Sequence, residues 1–347
     1  MKNLIILIFI TLILYLTLWP SKVDPAKWTP SENPGFTGPY KTNSRLTAAI
    51  RINLPQGHGP EDVAIDDKGW AYVGLQDGWI MRAKGSEFEK VVNTGGRPLG
   101  LHFFGEKLIV ADSYKGLLSV DKKGAIETLS TEAEGVPFGF TDDVDVGSDG
   151  RIYFSDASYK FPQSDYTADG LEHRPNGRLL VYDPATKNTS ILAKNLYFAN
   201  GVAVSQKADF VLVNETWKYR ILRYWLKGEK KGQMEVFKDA LPGFPDGISR
   251  GENGVFWLAL VSPRNALLES LAPYPFPRKV ISRLPGFMRP DAEPYAGVFG
   301  LNSDGEVVYN LQDPDAKKLG IISSAQQKGG RLWLGSLKEK AFAYYNL

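Results

Sequence analysis

The sequence contains no cysteine and only three histidines in 347 residues. The lack of cysteine excludes disulfides, zinc ribbons, iron–sulfur clusters and thiol catalysis. So few histidines disfavour a site built from several imidazoles, which leaves oxygen ligands for any metal. A charge excess is also missing, because 41 basic and 39 acidic residues leave a formal net charge of +2. We therefore expect no polybasic surface and no nucleic-acid partner.

Glycine and proline are abundant, with 35 and 22 residues respectively. This content of turn-forming residues argues against a helical bundle or a coiled coil. It favours a fold of many short strands, which can reach this length as one domain.

The N-terminus carries the one long apolar run of the sequence, residues 4–19, which follows Lys2 and ends at Pro20. A helix of that length spans about 24 Å, a little less than a hydrocarbon core of about 30 Å. No small-x-small cleavage triplet follows it, so we predict a signal anchor or transmembrane helix over residues 1–20. A cleaved signal peptide is the alternative. The propeller predicted below would lie on the exported side (periplasmic, lumenal or extracellular), and would be secreted after cleavage.

Residues 21–44 are rich in proline, glycine and polar groups, and we interpret them as a linker or wrapping arm. From residue 45 to 347 the chain carries an imperfect repeat of a short alternating strand, a polar turn and an aromatic strand. The clearest copies are 59–74, 96–112, 140–156, 198–215, 244–260 and 323–337. Turns such as DDKG and GSDG between the two strands are typical of hairpins.

The spacing of the repeat predicts an all-β, six-bladed β-propeller with about four strands in each blade. Equivalent positions, separated by 38, 43, 58, 46 and 77 residues, are Val63, Leu101, Val144, Val202, Ile248 and Ala325. Residues 47–54 have no blade of their own and are predicted to complete the last blade. A β-sandwich is the competing fold, but it does not explain the repeat. The longest interval contains an insertion, 262–297, which we interpret as lid-like, with an ordinary surface excursion as the alternative.

Oxygen-bearing side chains recur at one position, the start of the innermost strand, in four of the repeats: Glu61, Asp142, Asn200 and Asp246. Innermost strands surround the central channel of a propeller, so we expect these side chains to converge. Three carboxylates and one amide suit Ca²⁺ or another hard divalent cation. Without a cation the carboxylates would repel one another and their pKa values would rise. Asp or Asn before a strand also commonly serves a turn, but recurrence at one position favours a shared site. The adjacent Asp62 and Asp143 are candidates for contacts behind the ligands.

Other candidate residues carry weaker signals. His102 lies in an apolar stretch and is predicted to be a core residue, whereas His58 and His173 lie in loops and are predicted at the surface. Asp156 and Glu215 end second strands, where they either line the channel or cap turns. The sequence has no G-x-S-x-G motif and no P-loop.

Several strings resemble the strictosidine synthase-like family of six-bladed propellers, and within it the adipocyte plasma membrane-associated protein type. They are GRPLGL (96–101), FTDDVDVGSDGRIYFSDAS (140–158), GRLLVYDP (177–184), FANGVAVS (198–205), PGFPDGI (242–248) and LWLGSL (332–337). The resemblance covers residues 45–347. The wider superfamily includes gluconolactonases and paraoxonases, which are calcium- or zinc-dependent hydrolases of lactones and esters.

The resemblance implies a metal held by the same four residues that the repeat identifies. Asp142 stands where an Asn is common, which adds one negative charge. Asp246 is implied to act as a base or nucleophile in addition to binding the metal. Two departures limit the chemistry: Ser323 stands where strictosidine synthase has its catalytic Glu, and Leu99 where paraoxonases have a His.

From these observations we expect a membrane-anchored hydrolase of lactones or aryl esters that uses one divalent cation. Ca²⁺ is the preferred ion, with Zn²⁺ or Mg²⁺ as alternatives. The expected partners are a small-molecule ester or lactone and, through the N-terminal helix, a membrane. The alternative is a non-catalytic ligand- or partner-binding propeller with a structural cation, and a strictosidine-type lyase is less favoured because of Ser323.

Overall fold

Six four-stranded antiparallel sheets make up most of the computed structural model, which describes residues 1–347. Blade 1 contains β2 (Val63–Ile65), β3 (Ala71–Gly74), β4 (Trp79–Lys84) and β5 (Glu87–Asn93). Blade 2 contains β6 (Pro98–Phe104), β7 (Lys107–Asp112), β8 (Gly116–Val120) and β9 (Ile126–Ser130). Blade 3 contains β12 (Thr141–Val146), β13 (Ile152–Asp156), β14 (Gly177–Asp183) and β15 (Asn188–Leu196). A two-stranded hairpin, β10 (Glu132–Ala133) and β11 (Val136–Pro137), precedes blade 3.

The other three sheets complete the ring. They are blade 4, with β16 (Ala199–Val204), β17 (Phe210–Glu215), β18 (Arg220–Trp225) and β19 (Met234–Lys238); blade 5, with β20 (Gly243–Arg250), β21 (Phe256–Pro263), β22 (Ala296–Leu301) and β23 (Val307–Asp313); and blade 6, with β24 (Ile322–Lys328), β25 (Arg331–Ser336), β26 (Ala341–Asn346) and β1 (Ile50–Asn53). The first strand of each blade contacts the first strand of the next, and β24 contacts β2. The predicted six-bladed propeller is therefore confirmed.

The N-terminal strand β1 closes the ring by pairing antiparallel with the C-terminal strand β26, from Ile50 opposite Tyr344 to Asn53 opposite Ala341. The prediction that residues 47–54 complete the last blade is confirmed. Apolar side chains pack between neighbouring sheets, as Leu212, Leu258 and Phe299 do between blades 4 and 5. The core is thus distributed around the ring, and the channel is left to polar groups.

A β-bulge interrupts the first strand of five blades at the same place. The register against the second strand shifts between Pro98 and Leu101, Thr141 and Val144, Ala199 and Val202, Pro245 and Ile248, and Ile322 and Ala325. A bulge bends the strand and re-aims its side chains. Glycine makes the bulge of blade 4 possible, because a Cβ on Gly201 would lie 2.4 Å from the backbone oxygen of Asp246. Residues before and within these bulges, such as Asp142, Asn200 and Ser323, line the channel.

The longest helix is α1 (Lys2–Leu18), which has 17 residues and none of them buried. The shorter helices are α2 (Tyr166–Glu172), α3 (Ala266–Ser270) and α4 (Pro275–Ile281), and 3₁₀ turns lie at Gly38–Tyr40, Arg45–Ala48, Gln163–Asp165, Thr216–Lys218, Glu252–Gly254 and Gly286–Met288. No helix in the structure combines the length and the apolar character needed to cross a membrane. The predicted transmembrane helix is therefore not shown, since α1 falls short of the roughly 20 residues that a span usually takes.

Candidate functional site: a ring of oxygen donors in the channel

The structure brings the four predicted residues to one ring around the channel. We define the inner ring as the six equivalent positions at the start of the first strands: Glu61, Leu99, Asp142, Asn200, Asp246 and Ser323. All six side chains are buried. The four oxygen-bearing residues that the repeat identified border a single cavity above the ring. Blade 2 contributes the apolar Leu99 and blade 6 the hydroxyl of Ser323, so the carboxylate and amide groups come from four of the six blades.

Few of the ring donors are fully satisfied within the protein. Asn200 donates its Nδ2 hydrogen to Asp246 Oδ1 at 2.5 Å. Ser323 Oγ donates to the backbone oxygen of Glu61 at 2.6 Å. In contrast, Asp142 Oδ2 and Asp246 Oδ2 are buried without any hydrogen-bond partner. Buried polar groups are normally satisfied by the protein, by an ordered water or by a ligand, so these two oxygens are available to a bound group.

Burial and mutual repulsion raise the pKa values of the ring carboxyl groups. The pKa of Glu61 rises to about 7, mainly because of burial, while Arg97 opposes the rise and Asp62 adds to it. Burial, followed by the charge of Glu61, raises the pKa values of Asp142 and Asp246 well above the usual value for aspartate. These carboxylates carry their negative charges at a free-energy cost unless a cation compensates them.

One residue of the site, Arg97, was missed by the sequence analysis. Its guanidinium is 1% exposed, and Nη2 lies 3.2 Å from Glu61 Oε2. Nη1 donates to the backbone oxygens of Gly74 at 3.1 Å and Pro98 at 3.4 Å, while Nε has no partner. The available signal was an arginine two positions before a ring position, in the string GRPLGL (96–101).

Asp62 and Asp143 lie directly behind the inner ring and connect adjacent blades. Asp62 Oδ2 accepts the backbone N–H of Leu101 in blade 2 at 3.0 Å. Asp143 Oδ2 accepts the backbone N–H of Val202 in blade 4 at 2.7 Å. Both therefore fix the geometry of the first strands around the channel.

His102 lies at the other end of the channel from the large cavity. A small cavity of about 50 Å³ separates the two ends and borders both the inner ring and His102. His102 Nδ1 lies 3.2 Å from Asp145 Oδ1, and the imidazole of His102 is partly exposed. The prediction of an apolar core environment is wrong, because the side chain faces the polar channel and not the space between the sheets.

Above the inner ring lies a cavity of about 530 Å³, and four ring residues, Glu61, Asp142, Asn200 and Asp246, form its polar floor. Its apolar walls include Phe140, Phe198, Trp217, Phe244, Val261 and Leu268. Eight lining residues, among them Leu268, Arg278 and Asp291, belong to the 262–297 insertion. The insertion therefore forms part of the cavity wall.

The part of the 21–44 segment around Trp28 packs beside this cavity, and Trp28 lines it. Ala26 N donates to Glu172 O at 2.9 Å, and Trp28 N donates to Ala272 O at 3.2 Å. The buried guanidinium of Arg278, in the insertion, donates to the backbone oxygens of Leu171 at 3.0 Å and of Ala26. One arginine thus ties the 21–44 segment, α2 and the insertion together.

His173 is buried, so its predicted surface position is wrong. Trp28 stacks on the imidazole with ring centroids 3.8 Å apart and an interplanar angle of 11°. Burial lowers the pKa of His173 to about 2, with Lys218 and Arg278 contributing. His58 and His173 both line the cavity of about 530 Å³.

The inner ring has the donor chemistry of a cation site but not a ready-made coordination shell. No group of three or more His, Cys, Asp or Glu side chains in the structure is arranged to hold a metal ion. Glu61 is paired with Arg97, and Asp246 with Asn200. The unpartnered oxygens of Asp142 and Asp246 nevertheless fit a hard cation, which prefers carboxylate and amide oxygens.

Comparison with known proteins identifies the family. Residues 38–83 match the family model described as strictosidine synthase-like, N-terminal, and residues 142–229 match the one described as strictosidine synthase. The chain is 39% identical over 303 residues to Protein STRICTOSIDINE SYNTHASE-LIKE 6 of Arabidopsis thaliana, covering 84% of this chain and 80% of that protein. The chain belongs to the strictosidine synthase-like family. This strictosidine synthase-like chain is also 35% identical to the adipocyte plasma membrane-associated protein of Bos taurus, covering 93% of this chain and 84% of that one. The resemblance read from the sequence is confirmed.

Solved structures share the propeller fold with this strictosidine synthase-like protein at low sequence identity. A gluconolactonase from Xanthomonas campestris superposes with a TM-score of 0.63 and 16% identity, covering 94% of this chain and 98% of that one. Regucalcin from Agrobacterium tumefaciens, described as a calcium-binding protein, superposes with a TM-score of 0.59 and 14% identity, covering 85% and 91%. At these identities the comparison establishes the fold.

Proposed function

We propose that this strictosidine synthase-like propeller is a cation-dependent hydrolase of lactones or aryl esters. One observation carries the proposal: four oxygen-bearing side chains from four blades form the floor of an apolar cavity of about 530 Å³. A cavity of this size with apolar walls and a few convergent polar groups is typical of small-molecule sites. The apolar walls would bind the organic part of an ester, and the floor would face its carbonyl group.

The carboxylate and amide residues of the ring each have a defined part in this proposal. Glu61, Asp142 and Asn200 would hold the cation, together with Asp246. A divalent cation bound there would supply Lewis-acid polarisation of the substrate carbonyl. Asp246 would also accept the proton of the attacking water, because Asn200 fixes Oδ1 and leaves Oδ2 unpartnered.

Two structural neighbours support the proposed lactone hydrolysis and the proposed cation. One is named a gluconolactonase and another a calcium-binding protein, and both have the same fold as this chain. The donors here are carboxylate and amide oxygens, which favour Ca²⁺, with Mg²⁺ or Zn²⁺ as alternatives.

A test of the hydrolase uses the purified full-length protein with phenyl acetate and a γ-lactone, assayed before and after chelation. We expect one bound ion, loss of turnover on chelation and recovery with Ca²⁺. Asp246→Asn should lower kcat by at least about 100-fold while the melting temperature is retained. The matched control, Asp183→Asn, changes a carboxylate away from the channel and should leave kcat unchanged. If Asp246→Asn lowers only the melting temperature, the catalytic role of Asp246 is wrong.

The second candidate is a ligand-binding propeller in which the cation is structural. It is favoured by the pairing of Glu61 with Arg97 and of Asp246 with Asn200. These contacts give the ring stability of its own. An ion whose removal lowers the melting temperature, with no turnover in either state, would support this candidate over the hydrolase.

The proposal includes attachment of the protein to a membrane, with the propeller on the exported side. Apolar side chains of α1 such as Ile8 and Leu12 are exposed, and an isolated apolar helix is unfavourable in water. Carbonate extraction of membranes from cells expressing the full chain tests this point. Replacing Ile8 and Leu12 by lysine should move the protein to the soluble fraction, whereas Val236→Lys, an exposed apolar position on blade 4, should not. Retention of the double variant in the membrane fraction would contradict the proposal.

A further inference from the structure

A buried guanidinium lies beside the acidic floor of the cavity. Arg97 Nη2 is 3.2 Å from Glu61 Oε2, and the side chain is 1% exposed. The packing around it leaves little freedom, because a Cβ on Gly59 would lie 3.3 Å from Nη2 and 2.7 Å from the backbone oxygen of Leu337. The backbone N–H of Arg97 donates to Asp112 Oδ1 at 3.0 Å, which anchors the residue at its base. The position of this charge is therefore set by the fold.

We propose that Arg97 is a built-in counter-ion of the inner ring, which pairs with Glu61 when no cation is bound and thereby limits the affinity of the ring for cations. This inference rests on the proposed cation site. Arg97 is a positioning residue, since it acts through Glu61. It sets how readily that carboxylate is released to another positive charge.

The charge balance of the ring leads to this assignment. Three carboxylates and one guanidinium give the centre a formal charge of −2 when all are ionised. An arginine does not lose its proton in a protein, so this positive charge is permanent. A divalent cation that binds in the ring must displace Arg97 from Glu61. It then also lies close to the positively charged guanidinium, which repels it. Both effects oppose cation binding, and in a buried centre they are weakly screened.

A competing view makes the opposite prediction. If Arg97 served only to orient Glu61 toward a cation, removing it would weaken binding, because a misplaced ligand no longer reaches the ion. The sign of the change in affinity therefore separates a counter-ion from an orienting group.

The experiment is a Ca²⁺ titration at pH 8 by calorimetry, checked by Tb³⁺ luminescence, on the full-length protein. We expect Arg97→Gln to bind Ca²⁺ at least about tenfold more tightly than the wild type. Arg97→Lys keeps the positive charge beside Glu61, and on the charge argument its affinity should stay within about threefold of the wild type. The matched control is Arg178→Gln, which removes another buried arginine, paired with Asp156 in blade 3 at 2.6 Å, and should not change Ca²⁺ affinity. Unchanged or weaker binding by Arg97→Gln would overturn the inference.

The outcomes separate this inference from the proposed function. If neither the wild type nor Arg97→Gln binds Ca²⁺ or Tb³⁺, the cation site itself fails, and the inference with it. If the wild type binds and Arg97→Gln binds no more tightly, only the role of Arg97 fails. Should Arg97→Gln not fold, even when purified with Ca²⁺, Arg97→Lys carries the test, and a tenfold change in its affinity in either direction contradicts the counter-ion role.

Discussion

The propeller contains two sets of buried carboxylates that differ in how completely they are partnered. The first set is the inner ring, at the start of the first strands. The second set, which we call the second-strand acids, ends the second strands of blades 2, 3 and 4: Asp112, Asp156 and Glu215. Each of these acids is fully buried. Burial alone therefore does not distinguish a structural carboxylate from a functional one.

Hydrogen bonding makes the distinction. Asp156 Oδ1 accepts the backbone N–H of Phe140 at 2.9 Å, and Oδ2 accepts from Arg178 Nη2 at 2.6 Å. Glu215 similarly accepts the N–H of Tyr197 at 2.8 Å and Arg220 Nε at 2.5 Å. The ring carboxylates lack this completeness, since Asp142 Oδ2 and Asp246 Oδ2 have no partner. Fully partnered acids stabilise the blades, whereas the unpartnered ring oxygens reduce stability and are free for the cation that we propose.

The largest expected effect is on the second-strand acids. Asp156→Asn should lower the free energy of unfolding by about 3–5 kcal/mol, because it leaves the buried Arg178 without a counter-ion. Urea denaturation of the full-length protein measures this loss. Ca²⁺ affinity of the folded variant should stay at the wild-type value. A loss below about 1 kcal/mol would show that the pair is not the structural element we describe.

The second effect is the pH dependence of the cation-free protein. Since the pKa of Glu61 is raised from 4.5 to about 7, the folded state binds this proton more tightly than the unfolded state. Its stabilising contribution is complete below about pH 4.5 and is lost as the pH rises through 7. We expect the free energy of unfolding to fall by roughly 2–3 kcal/mol over that range, with the raised pKa values of Asp142 and Asp246 acting in the same direction.

Chemical denaturation in the presence of a chelator, between pH 4.5 and 8, measures this slope. Glu61→Gln is the control and should make the slope shallower, with Asp142 and Asp246 supplying what remains. If the proposed site binds Ca²⁺, saturating Ca²⁺ should also reduce the fall, because metal ligands bind in their deprotonated form. A stability that increases over this range in the wild type would contradict the raised pKa values.

A smaller effect, an increase in stability and not a loss, is expected for a substitution in the inner ring. Asp142→Asn removes one of three mutually repelling carboxylates without changing the shape of the side chain. At pH 8 the cation-free variant should be more stable than the wild type by about 1 kcal/mol. Its Ca²⁺ affinity should fall about tenfold, since a charged ligand is lost. The two quantities are measured by urea denaturation and calorimetry, and a loss of stability would place Asp142 with the second-strand acids.

The features that were predictable from the sequence are those carried by the repeat. Six equivalent positions in the repeat predicted the six blades. Residues next to four of these positions predicted the carboxylate and amide residues of the inner ring. The closing strand was also predictable, because residues 47–54 had no blade of their own. In each case a local pattern recurs, and the symmetry of the fold brings its copies together.

The remaining features depend on contacts between distant segments. Arg97 reaches Glu61 only because blades 1 and 2 pack side by side, and the repeat gives no equivalent of this pair in other blades. His173 is buried because Trp28, far away in the sequence, stacks on it. Composition and periodicity do not encode which side chain covers another, so these residues were misplaced or missed.

The smallest expected effect concerns Ser323, a member of the inner ring that is already partnered. Its Oγ donates to the backbone oxygen of Glu61 at 2.6 Å and carries no charge. Ser323→Ala should therefore lower the free energy of unfolding by only about 1 kcal/mol and leave Ca²⁺ affinity unchanged. Urea denaturation and calorimetry on the same preparation provide both values. A clear loss of Ca²⁺ affinity would show that position in the ring, and not the lack of a partner, determines which side chains bind the cation.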